Sequence, residues 1–166
     1  MIHPALPPCF RKFLNSVPTL GLLLVTLDVH AQAHWPGLRG PGARGVGESS
    51  RLPISWGVGT NVTWSTAIPG RGWSSPIVSG NLVFLTSVVS AEPVKAPKAG
   101  LYLGPKPPLP TAEHRWMAYA VDFTSGKIVW ERELHRGVPP QSRHEKNTFA
   151  AETPVTDGDR VYAYFG

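Results

Sequence analysis

The side chains of this chain able to hold or transform another molecule cluster in two stretches, Arg71 with Trp73, and His144, Lys146, Asn147 and Glu152. Arg136 and Arg143 add to the second stretch, and Glu145 offsets part of the charge. Guanidinium and ammonium groups of this kind suit a carboxylate or phosphate, which Arg can grip through two parallel N–H bonds. A plainer reading has Arg71 and Glu152 paired to brace neighbouring loops, since structural ion pairs recur at such places.

Other chemical signals fail on spacing. His144-Glu145 is not followed by the second histidine that a zinc-protease helix places four residues on, because position 148 is Thr148. Asp157-Gly158-Asp159 sets two carboxylates around a glycine without the ligand series of a calcium loop, and reads as turn chemistry. Asn61-Val62-Thr63 matches a glycosylation sequon but falls in an expected strand. The chain contains neither a phosphate-binding loop nor a nucleophile elbow.

The elements that must position these residues are strands. Trp116–Val121 and Ile128–Trp130 are rich in β-branched and aromatic residues and flank an Asp/Thr/Ser/Gly cluster, the pattern of a hairpin. Asp122 can accept from backbone N–H groups two or three residues on, and Gly126 can take positive φ. Ala120 and Trp130 are spaced so that the indole covers room left by a small side chain on the neighbouring strand.

Two phrases repeat. Ser75-Pro76-Ile77-Val78-Ser79-Gly80-Asn81-Leu82-Val83-Phe84-Leu85 returns as Thr153-Pro154-Val155-Thr156-Asp157-Gly158-Asp159-Arg160-Val161-Tyr162-Ala163. Asn61–Ile68, centred on Trp64, resembles Lys127–Leu134, centred on Trp130. Self-similarity of this kind marks a repeat architecture in which a unit buries its faces only against its neighbours. The predicted unit is a four-stranded antiparallel meander: a short strand after Pro76, then Leu82–Val88, Trp116–Val121 and Ile128–Leu134.

In such a meander the first-to-second and third-to-fourth turns share one end. The long connections, 89–115 and 135–152, must then share the other with the crossing 68–74, and long loops on a rigid scaffold are where function concentrates. That end is where Arg71, Trp73, His144, Lys146, Asn147 and Glu152 should form a rim. The insert Ala91–Pro110 carries six prolines, at Pro93, Pro97, Pro105, Pro107, Pro108 and Pro110. It reads as a solvated, partly disordered loop, or more sharply as a partner-docking segment.

Ala120, Asp122, Ser125, Gly126 and Trp130 together meet an A-x-D-x-x-(T/S)-G-x-x-x-W pattern. It resembles the tryptophan-docking motif of the PQQ-like, quinoprotein-type β-propeller repeat. Trp35–Gly42 and Pro69–Pro76 look like the N-terminal region of secreted bacterial members. The resemblance spans residues 35–166 apart from the insert. It implies an all-β propeller of four-stranded blades, of which this chain holds an orphan outer strand around Trp64, one full blade and half of a second. A ring typically takes about four to eight blades. Trp130 would lock adjacent blades, with Trp64 its counterpart at the seam.

The resemblance implies two functions. The first is a non-catalytic scaffold or binding module, holding no cofactor in this segment and meeting a protein or polymer partner on the long-loop face. The second is part of a PQQ-dependent dehydrogenase of alcohols or sugars, with calcium beside the quinone. Such enzymes often place adjacent cysteines over the quinone, and this chain has a single cysteine, Cys9.

The N-terminus speaks for export. Arg11 and Lys12 precede an apolar run over Val17–Leu27, with small residues at Ala31 and Ala33. This is the layout of a signal peptide over 1–33, and the run is shorter than the roughly 20 residues of a membrane span. Cleavage after Ala33 or Ala31 would leave a periplasmic or extracellular protein with no transmembrane span; an uncleaved anchor is the alternative. An extended lead-in over 34–60 and the partial propeller over 61–166 would follow. The strand-like apolar ending Val161–Phe165 predicts that the chain is the N-terminal part of a longer protein.

Setting aside Arg11, Lys12 and Asp28 leaves fourteen basic and ten acidic side chains, a net +4 spread along the chain. Nucleic-acid binding would need a clustered basic stripe, so no nucleic-acid partner is expected. Eighteen prolines and seventeen glycines, with no sustained 3.6-residue apolar period, exclude a helical fold.

Overall fold

A computed structural model describes residues 34–47, 52–92, 100, 105 and 107–166. The expected leader and most of the proline-rich insert lie outside the described residues. The described chain is all-β, its one helical piece being a 3-10 turn at Pro41–Ala43.

Among the described residues the strands are β1 (His34–Trp35), β2 (Ile77–Ser79), β3 (Leu82–Ser90), β4 (His114–Asp122), β5 (Ile128–Gly137), β6 (Val155–Thr156) and β7 (Val161–Tyr162). Strands β1 to β5 form one antiparallel sheet in chain order, and β6 and β7 pair separately. β2 to β5 are the four-stranded meander expected from the sequence.

Three findings depart from the sequence reading. His34–Trp35, read as lead-in, adds a fifth strand on β2, with His34 opposite Ser79. The expected orphan strand around Trp64 is in no sheet, and Asn61 there has φ 56° and donates its amide to the Ser55 carbonyl at 2.9 Å. The sequon asparagine therefore sits in an exposed turn. Finally, β3 and β4 run on in register to the Ser90–His114 pair, which shortens the connection from 89–115 to 91–113. A backbone ladder continues without apolar side chains, so the polar residues at these ends gave no strand signal. Glu92 closes the neck by accepting from the Ala112 and Thr111 N–H groups at 2.7 and 2.8 Å, bonds that hold its carboxyl below the usual range.

The core lies along β4, where Tyr119 is 1 % exposed and Ala120 fully buried. Phe84, Ala120 and Trp130 are direct partners across three strands. The small Ala120 lets the outer two rings meet over it, with centroids 6.0 Å apart. On β5 the register slips beside Trp116/Met117 and Ala120/Val121. Such bulges twist an edge strand and turn side chains outward, and Val129 and Leu134 are exposed there.

The two tight turns meet at one end of the sheet, as the meander requires. Phe123 N donates to Asn81 O at 2.9 Å, Thr124 Oγ1 to Asn81 Oδ1 at 2.9 Å, and the Asn81 amide also reaches Asp122 Oδ2. Asp122 Oδ1 accepts from both the N–H and the hydroxyl of Ser125 at 2.7 Å. In the second repeat Asp157 does the same work for the β6–β7 turn, accepting from the N–H groups of Asp159 and Arg160 at 3.0 and 2.8 Å.

Candidate ligand cleft at the long-loop end

The segment 69–74 crosses the far half of β3 as a strap. Arg71 exchanges two backbone hydrogen bonds with Val88, at 2.9 and 2.8 Å. The flanking glycines make this approach possible. A Cβ on Gly70, whose φ is +86°, would lie 2.5 Å from the Val88 carbonyl oxygen, and one on Gly72 would lie 2.4 Å from that of Thr86. Only glycine fits at either point, so Arg71 is the one side chain projected from a backbone clamped on both sides. Ser87 Oγ donates to Pro69 O at 2.6 Å, and the N–H groups of Trp73 and Ser74 donate to Ala150 O at 2.9 and 3.2 Å. The strap thereby ties β3 to the crossing that leads to β6.

Between strap and crossing lies a cleft of about 220 Å³. Arg71 and Trp73 line one part, and Arg143, Glu145, Asn147 and Phe149 another. Val88 and His114 line it from the sheet. Trp73 is 50 % exposed, whereas His114 is only 5 % exposed, packed edge-on against Phe149 with ring centroids 5.3 Å apart. His114 Nδ1 lies 2.9 Å from Ala112 O. A carbonyl can only accept, so Nδ1 carries a proton. Trp116 Nε1 donates to Phe149 O at 3.2 Å and seats the crossing on the sheet.

The six rim candidates separate in space. Arg71, Trp73 and Asn147 share the cleft. His144 and Lys146 belong to its neighbouring loop, where Lys146 N donates to His144 Nδ1 at 3.1 Å and Lys146 Nζ reaches Gly100 O. Glu152 is outside the cleft, with Oε2 buried and without a hydrogen-bond partner among the described residues. The expected brace between Arg71 and Glu152 is not formed: among the described residues Arg71 makes neither an ion pair nor a side-chain hydrogen bond. Arg143, by contrast, spends its guanidinium on the carbonyls of Asn147 at 2.6 Å and His144 at 3.4 Å, shaping the loop. His114 was not among the sequence candidates. Its signal was position, next to the insert at the end of a strand longer than its apolar residues.

The motif residues are brought together at the opposite end. Trp64 lies on the turn of β4 and β5: its Nε1 donates to Phe123 O at 2.9 Å, and its ring covers Gly126 so closely that a Cβ there would lie 2.5 Å from Cδ2. Thr66 Oγ1 completes the contact by donating to Gly126 O at 2.5 Å. Trp130, the matching tryptophan of the second phrase, covers Ala120 and Phe84 within its own sheet, with the Arg132 guanidinium 5.9 Å from its ring centroid.

The calcium of the quinoprotein reading finds no ligand set, because no three His, Cys, Asp or Glu side chains gather as metal ligands among the described residues. No protein-family model, curated protein or solved structure matches the chain.

Proposed function

We propose that this chain is part of an exported β-propeller of the PQQ-like repeat type, acting as a non-catalytic scaffold or binding module in the periplasm or outside the cell. Its long-loop end would meet a protein or polymer partner. The observation that carries the reading is Trp64 on Gly126. A tryptophan from outside the meander, in a phrase that matches the one around Trp130, caps the Asp-Gly turn of the motif hairpin. This is the kind of contact by which one unit of a repeat protein buries the face of the next. The four-stranded meander β2–β5 and the β6–β7 pair, which begin with the two proline-led phrases, support the same reading.

The test is direct. The full chain is incubated with pyrroloquinoline quinone and calcium, followed by quinone absorbance and by reduction of a dye with alcohols and sugars. The scaffold reading expects no stoichiometric uptake and no turnover. Uptake with turnover would replace it with the dehydrogenase reading.

A further inference from the structure

We propose that the cleft between the strap and the 143–149 loop is a binding site for a carboxylate carried on a six-membered ring, as in an acidic sugar unit of a polymer. The inference rests on the reading of the long-loop end as the binding face and names what that face recognises.

Four observations lead to this chemistry. First, Arg71 is held by backbone bonds to Val88 between two positions where only glycine fits, yet its guanidinium has no partner among the described residues. A fixed root and a free planar donor fork is the arrangement that grips a carboxylate bidentately. Second, Trp73, two residues on, lines the same cleft and is half exposed. An indole held at a wet boundary offers an apolar face to a ring and tolerates polar groups at its edge. Third, Glu145 lines the cleft with Arg71 and Arg143 and can accept from hydroxyls, while the two guanidiniums leave the lining net positive toward an anion. Fourth, about 220 Å³ admits one ring and little more. The cleft seats a single unit, at the end or along the side of a chain, and Arg71 and Trp73 also line a second hollow of about 400 Å³.

The cleft opens to solvent, so affinity for one unit is modest and a polymer would gain by presenting many. D-glucuronate, D-glucose and acetate are titrated into the full chain, with binding followed by ligand-observed NMR. Saturable binding of glucuronate is expected, with glucose weaker by at least about tenfold, the worth of one charged hydrogen-bonded contact, and acetate weaker because it keeps that contact but has no ring to lay on Trp73. Arg71→Gln should lose at least about tenfold while melting with the parent chain, because the side chain it replaces makes no ion pair or hydrogen bond among the described residues. Trp73→Ala should weaken glucuronate and leave acetate unchanged. Glucuronate that binds no better than acetate, an Arg71→Gln chain that binds it undiminished, or no saturable binding at all would overturn the proposal. None of these results bears on the Trp64–Gly126 contact or on quinone uptake, which test the propeller reading separately.

Discussion

Replacing Gly126 with alanine tests the contact on which the repeat reading stands. Gly126 has φ +72°, a conformation that costs an L-residue about 1–2 kcal/mol. The added methyl would also lie 2.5 to 2.7 Å from three atoms of the Trp64 ring. The turn is pinned by Asp122 and Asn81, so the indole is the part that moves. Displacing it forfeits the Nε1–Phe123 hydrogen bond, worth about 1 kcal/mol. It also forfeits the burial of a half-covered indole, which at roughly 100 Å² is worth about 2.5 kcal/mol. Partial relaxation recovers some of this, so Gly126→Ala should cost about 3–4 kcal/mol in the parent chain. In a Trp64→Ala background the clash has no partner, and the same change should cost only the backbone term of about 1–2 kcal/mol. Urea unfolding of the four chains gives the coupling directly, at about 2 kcal/mol. Equal cost in both backgrounds, within about 0.5 kcal/mol, would refute the packing argument.

The Asp122 carboxyl is held below its ordinary 3.8, first by the Ser125 hydroxyl and next by the Ser125 N–H. A depressed folded pKa means stability that is present above the unfolded value and lost as pH falls through the folded one. Asp122→Asn should therefore destabilise the chain at neutral pH, and the gap should close as pH drops below about 3.8 in urea titrations at stepped pH; a gap that persists in acid would show that the carboxylate charge is not what holds the turn. Glu92, Glu133 and Asp157 are shifted in the same direction, so the parent chain should itself weaken in acid. Gly72→Ala places a methyl 2.4 Å from the Thr86 carbonyl oxygen, and it should cost about 1–3 kcal/mol in thermal unfolding by lifting the strap. Loss of glucuronate binding should accompany it, and unchanged stability would mean that the strap does not lie on β3.

Much of the sheet was legible because its signals are local. Ile77–Ser79, Leu82–Val88, Trp116–Val121 and the start of Ile128–Leu134 are rich in apolar and β-branched residues, and all four segments lie inside observed strands. The Asp122–Gly126 turn writes its own hydrogen bonds within five residues, and so does the turn at Asp157. Placing the tight turns at one end followed from strand order alone. The stretch around Trp64 misled because its residue types suit a strand, while its hydrogen bonds to the turn come from the Trp64 and Thr66 side chains. β1 gave too short a signal, its two residues being defined by their partners Val78 and Ser79.

The sequence by itself determined the all-β class, the order of the meander, the self-capping turns and the pairing of small Ala120 with Trp130. Each depends on residue type and on spacing of a few positions, which short-range backbone and side-chain physics can read. The tertiary structure decided which polar residues meet. Arg71, forty-three residues before His114 and more than seventy before Glu145 and Asn147, shares a cleft with all three, while Glu152 is elsewhere. That choice was made by a strap that lies on β3 only because two glycines let backbone touch backbone, a contact between segments that no local pattern encodes.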